Sequence, residues 1–244
     1  MPSMEEIYER YAPQYDELVD REDHEGNLAL ALHRIVDWTG ADVVESGIGT
    51  GRVSRTYLDN ASSLRGFDRA AHMLKQAAAN LAAWREKVTL AVAEHLALPV
   101  KSCSADVFVE GWAFGHPVVR AGEEARVAAI AEVARCLVAE TERVTIPGGS
   151  IVIIETLGTN AETPGAPLPA LDTFYRLLES EHGFSRETVP TDYLFPTADE
   201  AICVCGFFFG EQMADALRGR FASREPAPEG AIVPEYTGIW HRTR

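Results

Sequence analysis

Residues 43–54, VVESGIGTGRVS, decide the fold. A short apolar run ends in an acid, Glu45, and three glycines, Gly47, Gly49 and Gly51, follow within five positions. An apolar run, a glycine cluster and the helical pattern VSRTYLD read as a strand, a turn and a helix. Glycine takes positive φ without steric cost and lets a ligand approach where a Cβ would clash. A dinucleotide fingerprint requires glycine at position 52, which is Arg52, and the Gly-Lys-Ser/Thr of a P-loop is absent. A nucleoside without phosphates is therefore the favoured ligand. A turn of purely structural use stays open on this motif alone.

Outward from that turn, SLRGFD at 63–68, VTLAVAE at 88–94, ADVFVEGWA at 105–113 and SIVIIETL from 150 read as further strands. They alternate with the helical stretches AAHMLKQAAANLAAW and EEARVAAIAEVARCLVAETERV, the second stopped by IPGG. This alternation predicts a parallel, doubly wound sheet. Before it, MEEIYERYAPQYDELV is a helix interrupted or kinked at Pro13, and 27–38 is an amphipathic helix capped by Asn27. After it, LPALDTFYRLLESEHG is helical to Gly183 and RETVPTDYLF is extended. Thr197 and Glu200 form a capping box for ADEAICVCGFFF, which Gly210 closes. EQMADALRGR is a further helix, REPAPEG a turn, and AIVPEYTGIWHR a final strand that gives the sheet a mixed edge. With neither an internal repeat nor a long linker, residues 1–244 are expected to form one domain.

Composition narrows the function. The net charge of −15 argues against a nucleic-acid or anionic-membrane partner, because phosphate binding rests on clustered Lys and Arg. Cys103, Cys136, Cys203 and Cys205 lack metal-ligand spacing, so no metal site is expected and the thiols fit a cytoplasmic protein. The first residues are charged and aromatic, without the apolar segment of a leader, and no stretch approaches 18 uninterrupted apolar residues.

Two more strand ends carry chemistry. Asp68 closes the second strand, where an acid accepts from both ribose hydroxyls, with Arg69 beside it, although an Asp there also serves as a helix cap. Glu94 closes the third, where an acid accepts from an exocyclic amine while the backbone N–H of His95 donates to the ring. All three groups lie at carboxyl ends of strands, where open α/β sheets bind ligands.

Together these residues resemble the class I S-adenosylmethionine-dependent methyltransferases. VVESGIGTG is similar to the first motif, with Glu45 in its acidic position, and GFDRAAHML to the second, including Met73. VAEHLALP, SADVFVEGWAFGH and ERVTIPGGSIVIIETLG resemble the later motifs, so the likeness runs from about residue 41 to 157. It implies a Rossmann-like, mostly parallel seven-stranded sheet with an antiparallel C-terminal edge strand and an N-terminal helical cap. Residues 1–38 would be the cap, 41–157 the cofactor-binding core and 158–244 the C-terminal helices and edge strands. S-adenosylmethionine would lie against Gly47, Gly49 and Gly51, with its ribose on Asp68, its adenine read by Glu94 and His95, and Met73 packed on the adenine. Ile48 between the glycines, and glutamates rather than aspartates at 45 and 94, depart from the commoner pattern.

The donor carries its own leaving group, a neutral thioether, so alignment and exclusion of water are the main demands, and a base is needed only for an acceptor that must lose a proton. Glu110, Trp112 and His116 follow the fourth strand; His116 is the candidate base, set against an ordinary loop histidine, and Trp112 offers cation–π attraction to a sulfonium. Tyr8, Tyr11 and Tyr15 share one helical face, and in the resembling family such a helix covers the cofactor, which places Tyr11 or Tyr15 in the pocket. Asp192, Tyr193 and Tyr236 are weaker candidates for the acceptor side. Phe207–Phe209 read as core, or as a contact between copies in a homodimer. The expected reaction is methyl transfer to a small molecule. The alternative is consumption of the donor itself, by a cyclase or lyase that releases methylthioadenosine, for example an azetidine-2-carboxylate synthase-like activity. A module that binds the nucleoside without turnover is a third reading.

Overall fold

A computed structural model describes residues 6–7, 10–123, 127–223 and 230–244. Helix α1 (Ala12–Val19) and α2 (Asn27–Ile35) precede the first strand, β1 (Asp42–Ser46). There follow α3 (Ser54–Tyr57), β2 (Ser63–Asp68), α4 (Ala71–Asn80), a 3-10 turn (Ala82–Trp84), β3 (Val88–Val92), β4 (Ala105–Gly111), α5 (Gly115–Glu123) and α6 (Val127–Val144). The last third holds β5 (Thr145–Thr159), α7 (Pro169–Ser180), β6 (Ser185–Pro190), β7 (Tyr193–Phe195), α8 (Ala198–Phe209), α9 (Glu211–Ala222), β8 (Ala231–Val233) and β9 (Glu235–Thr243).

Seven strands form one sheet in the order β3-β2-β1-β4-β5-β9-β6. The strands from β3 to β5 are parallel, and β9 runs antiparallel to β5 and β6. The expected antiparallel strand is thus present, and it runs inside β6. Both faces are covered, which is why VIIE-type strands lack alternation. One core, with Trp38, Tyr57 and Val109, lies under α2, and the other, with Phe108, Phe174 and Trp240, under α6 and α7. A third cluster packs α8, α9 and the β7-β8 ribbon against Ile7 and Leu18 from the N-terminal region.

Several local expectations are corrected. Asn27 does not cap α2: its amide reaches Glu25 and the Pro190 carbonyl, while the Asp23 carboxylate accepts the Leu28 N–H at 3.0 Å. The expected interruption near Pro13 is present, since residues 6–7 and 10 are helical, Tyr11 is not, and Pro13 lies in the first turn of α1, where its missing N–H costs no intrahelical bond. The stretch between the fourth strand and the long helix, in which His116 was expected on a loop, forms α5, with Pro117 in the opening turns where proline is tolerated. IPGG belongs to β5, with Gly148 at φ +84°. The final extended stretch divides at Pro234 into β8 and β9. Thr197 does accept the Glu200 N–H at 3.1 Å, but the Glu200 carboxylate turns to Arg21 at 2.7 Å instead of closing the box. Tyr8 and most of the REPAPEG turn lie outside the described residues.

Candidate functional site

Four strand ends converge on the carboxyl edge of the sheet. Gly47, Gly49 and Gly51 have φ of 73°, 55° and 86°, left-handed values that favour glycine. A Cβ at Gly47 would lie 2.4 Å from the Ala113 Cβ and 3.0 Å from the His95 Cε1, so the turn packs directly on the segments after β4 and β3. The Gly47 and Ile48 N–H groups donate to the Phe67 carbonyl at 2.7 and 2.9 Å, which pins the turn to β2.

Asp68, at the end of β2, is tied to the same turn. One carboxylate oxygen accepts the Gly49 N–H at 2.9 Å, and the other accepts the Ala70 N–H at 2.8 Å, at the start of α4. Both roles read from sequence are therefore combined in one residue: it caps a helix and it stands beside the glycines. Burial pushes its pKa up, and the Ala70 and Gly49 N–H bonds, followed by the charge and N–H of Arg69, oppose that shift. Each oxygen keeps a second lone pair with which to accept a hydroxyl. Arg69 beside it is exposed, and Met73 is buried, its methyl 3.7 Å from where a Gly49 Cβ would be.

Strand β3 ends at Val92, so Glu94 stands two residues beyond it, exposed, and His95 is half-buried. The His95 Nδ1 and Ser46 Oγ are 2.7 Å apart, and the ring meets Phe114 edge-on at 5.3 Å. Burial, reinforced by the charges of His116 and Arg69, lowers the His95 pKa to about 4, which keeps the imidazole neutral near pH 7. Val92 and Leu96 are apolar yet 59% and 52% exposed, and with His95 they form a rim of the kind a flat aromatic base covers.

Other expected residues are placed differently. Glu45 is fully buried and accepts from Ser54 Oγ at 2.7 Å and from the Tyr57 hydroxyl, both on α3 beneath the turn. Burial pushes its carboxyl to about 7 against those two bonds. Trp112 has a left-handed φ of 54°, and its ring carries the Arg52 guanidinium 3.8 Å from the centroid. Arg52 in turn gives bidentate hydrogen bonds of 2.7 and 2.8 Å to Glu22. The cation on Trp112 is thus the protein's own, and the glycine turn, the segment after α1 and the segment after β4 are fastened by one guanidinium. Tyr15 sits among these charges, its hydroxyl pushed to about 12 by burial, with Arg52 pulling it back. Tyr11 packs edge-on against Phe207 at 5.6 Å, and Phe208 is buried against Tyr15, so the Phe run serves as core at 208.

Beyond Trp112 the edge is acidic and buried. Glu110 accepts the Ala113 and Phe114 N–H groups at 2.5 and 2.9 Å, and Glu155 accepts the Gly115 N–H at 2.6 Å. Two carboxylates therefore serve the N-terminal turn of α5, where the helix dipole favours negative charge. His116 lies in that first turn, on a helix rather than a loop. Burial raises the pKa of both acids, and Glu155 raises that of Glu110 further. Glu235, which opens β9, accepts from the Thr156 hydroxyl at 2.7 Å, and its backbone N–H donates to Asp192 at 3.0 Å. Tyr193 is buried, and Tyr236 packs on the core under α7. Glu22, Arg52, Glu155 and Glu235 were not among the expected site residues. The signal available for the last two was an acid inside an apolar strand, in IIETL and VPEYTGIW.

Residues 43–140 match the family model described as a methyltransferase domain. An uncharacterized methyltransferase of Geobacillus thermodenitrificans (strain NG80-2) is 26% identical over 156 residues, covering 62% of this chain and 66% of the relative. The chain thus spans just under two thirds of that relative's length. Among solved structures, a candidate methyltransferase from Bacillus halodurans C-125 superposes with a TM-score of 0.58 at 14% identity, covering 88% of this chain and 97% of that one. The cyclase SpnF superposes with a TM-score of 0.57 at 16% identity, covering 97% and 94%. The fold is the Rossmann-like α/β sheet of the methyltransferase type. Over residues 43–140 the chain is similar to the S-adenosylmethionine-dependent methyltransferases, whose methyl donor is S-adenosylmethionine.

Proposed function

We propose that the chain transfers the methyl group of S-adenosylmethionine to a small-molecule acceptor. The observation that carries this reading is the convergence of Gly47 and Gly49, Asp68 and His95 on one edge, within direct contact of one another. The pieces fit the donor. Gly47 and Gly51 let the turn pack tightly on Ala113 and Leu81, Gly49 leaves room for the methionyl part and ribose, and Asp68 retains acceptor capacity for ribose hydroxyls. Val92 and Leu96 present apolar surface for adenine, and Met73, buried beside Gly49, would pack beneath it. Glu94 and His95 would read the base, and Arg69, Tyr11, Tyr15 and Trp112 would border the pocket.

The bound donor supplies an electrophilic methyl on a sulfonium. The protein's part is to hold the donor, exclude water and manage acceptor protons. Tyr15 and the Glu22–Arg52–Trp112 fastening close the edge from above. His116, at the start of α5 and within electrostatic reach of His95, is the proton acceptor of this reading. Glu110 acts by positioning α5. The reading treats residues 1–244 as one domain working in the cytoplasm on small molecules without nucleic acid, membrane or metal, with a homodimer as an option. Among the described residues no helix is long and apolar enough to cross a membrane.

The test is to incubate the protein with S-adenosylmethionine alone and follow products by mass spectrometry. An intact, bound donor is expected, followed by S-adenosylhomocysteine release when acceptors are added. Methylthioadenosine above the uncatalysed background would overturn methyl transfer in favour of the cyclase or lyase reading.

A further inference from the structure

Glu235 has a geometry that the donor site does not explain. It opens β9 at the carboxyl edge next to β5, and it is 2% exposed. One carboxylate oxygen accepts from the Thr156 hydroxyl at 2.7 Å and the Thr159 hydroxyl lies against the carboxylate as well, while the other oxygen, Oε2, is buried without a hydrogen bond of normal geometry. Buried polar atoms are normally paired, and an unpaired carboxylate oxygen is among the costliest exceptions. Its position is between the sheet and the C-terminal helices, so the groups that face it come from many elements. They are Glu22 and Arg52 from the fastening above, Tyr193 on β7, Tyr175 on α7, Cys205 on α8, and Asp192 at its own backbone N–H. Arg52, the cation that faces it among the described residues, gives both arms of its guanidinium to Glu22. Ionised, Glu235 would have no cation of its own, and Tyr193 and Tyr175 lie within its electrostatic reach.

We infer that the acceptor carries a cationic nitrogen, an amine in its ammonium form, and that the free oxygen of Glu235 holds it. This rests on the reading of the edge as a methyl-transfer site. An alcohol would supply a donor but no charge, and a carboxylate would meet Glu22 and Glu235 with like charge. An ammonium supplies both donor and charge. The inference concerns the group that is recognised, and it makes Glu235 a specificity-determining residue.

The protonation state provides an independent readout. Burial pushes the Glu235 carboxyl to about 8, with the charge of Glu22 adding to the rise, so at pH 7 the free protein holds a proton there. An ammonium stabilises the ionised form and expels that proton. Affinity for the ammonium then rises with pH up to about 8 and levels off, until the amine itself deprotonates near pH ~10.

The experiment titrates a size-graded panel of primary amines, each paired with its alcohol isostere, into protein saturated with S-adenosylhomocysteine. Calorimetry at pH 7 in two buffers of different ionisation enthalpy counts protons. At least one amine is expected to bind about tenfold or more tighter than its alcohol, with release of close to one proton. Glu235→Gln, checked for folding by circular dichroism, is expected to lose both the preference and the proton release. Glu235→Asp, which keeps the charge but shortens its reach, is expected to keep the release and weaken the preference. Alcohols that match their amines, proton release that survives in Glu235→Gln, or a panel in which no amine binds would each overturn the inference. The first injection, of S-adenosylhomocysteine alone, separates the two levels: failure to bind there would sink the methyl-transfer reading and this inference with it.

Discussion

The two halves of the carboxyl edge are built by opposite means. On the donor half, from the glycine turn to His95, the chain works through shape: bare glycine backbone, one carboxylate with both oxygens on N–H groups, and a histidine that stays neutral. On the other half, from Trp112 to Glu235, it works through buried acids: the carboxyls of Glu22, Glu110, Glu155 and Glu235 are buried, and Arg52 is the cation set against Glu22 and Glu235. A ligand on the first half is selected by fit, and one on the second by the charge it brings.

The sharpest way to break that comparison is Gly47→Ala. A left-handed φ and an overlap at 2.4 Å with Ala113 are expected to cost about 3 kcal/mol of stability in urea unfolding. They are also expected to abolish S-adenosylhomocysteine binding. A variant that binds normally would show that shape does not govern the donor half. Asp68→Ala comes next, with donor affinity down about a hundredfold by calorimetry. Because Asp68 also holds Gly49 and Ala70, about 1 kcal/mol of stability should go with it, while the fold persists. Wild-type affinity in that variant removes Asp68 from the site.

The charged half is tested by pH. Glu155 is neutral in the fold at pH values where the unfolded chain ionises it, because burial raises its folded pKa above the ordinary carboxylate value. The folded state therefore binds more protons than the unfolded one above pH ~4.5. Its contribution is complete below that value and is lost as pH rises through the raised folded pKa. The urea midpoint of the wild type should fall between pH 5 and pH 8, and Glu155→Gln should flatten that fall. An unchanged slope would mean the acid is already ionised in the fold. The smallest effect is a control in neither half: Thr197→Ala should cost about 1 kcal/mol through the lost cap on α8, and leave donor affinity untouched.

What the sequence made legible follows the same division. The strands around the glycine turn, Gly47 to Gly51 and Asp68 are signalled by residues a few positions apart, and the structure brings them together as the local pattern implies. Helix α5 was hidden because its proline and two glycines look like loop composition, and its first turn is satisfied by Glu110 and by the distant Glu155. Asn27 lost the capping role to Asp23 because Pro190 offers its amide another partner. Glu22, Arg52 and Glu235 meet from three separate parts of the chain, and no short window contains that meeting. Periodicity reports which face of a strand is covered, not what charge a remote loop lays on it.

The place of β9 has a consequence for the order of assembly. Strand β6 pairs with β9 and with no other strand of the sheet, yet α8, α9 and the β7–β8 ribbon lie between them in the sequence. Until β9 is made and slides in, β5 and β6 each present an open edge, and closure links residues far apart along the chain, the kind of step that slows folding. A nascent chain thus carries two sticky flanks for the time taken to synthesise a whole helical unit, and its vulnerability to aggregation should be greatest in that interval, well after the donor half has taken shape.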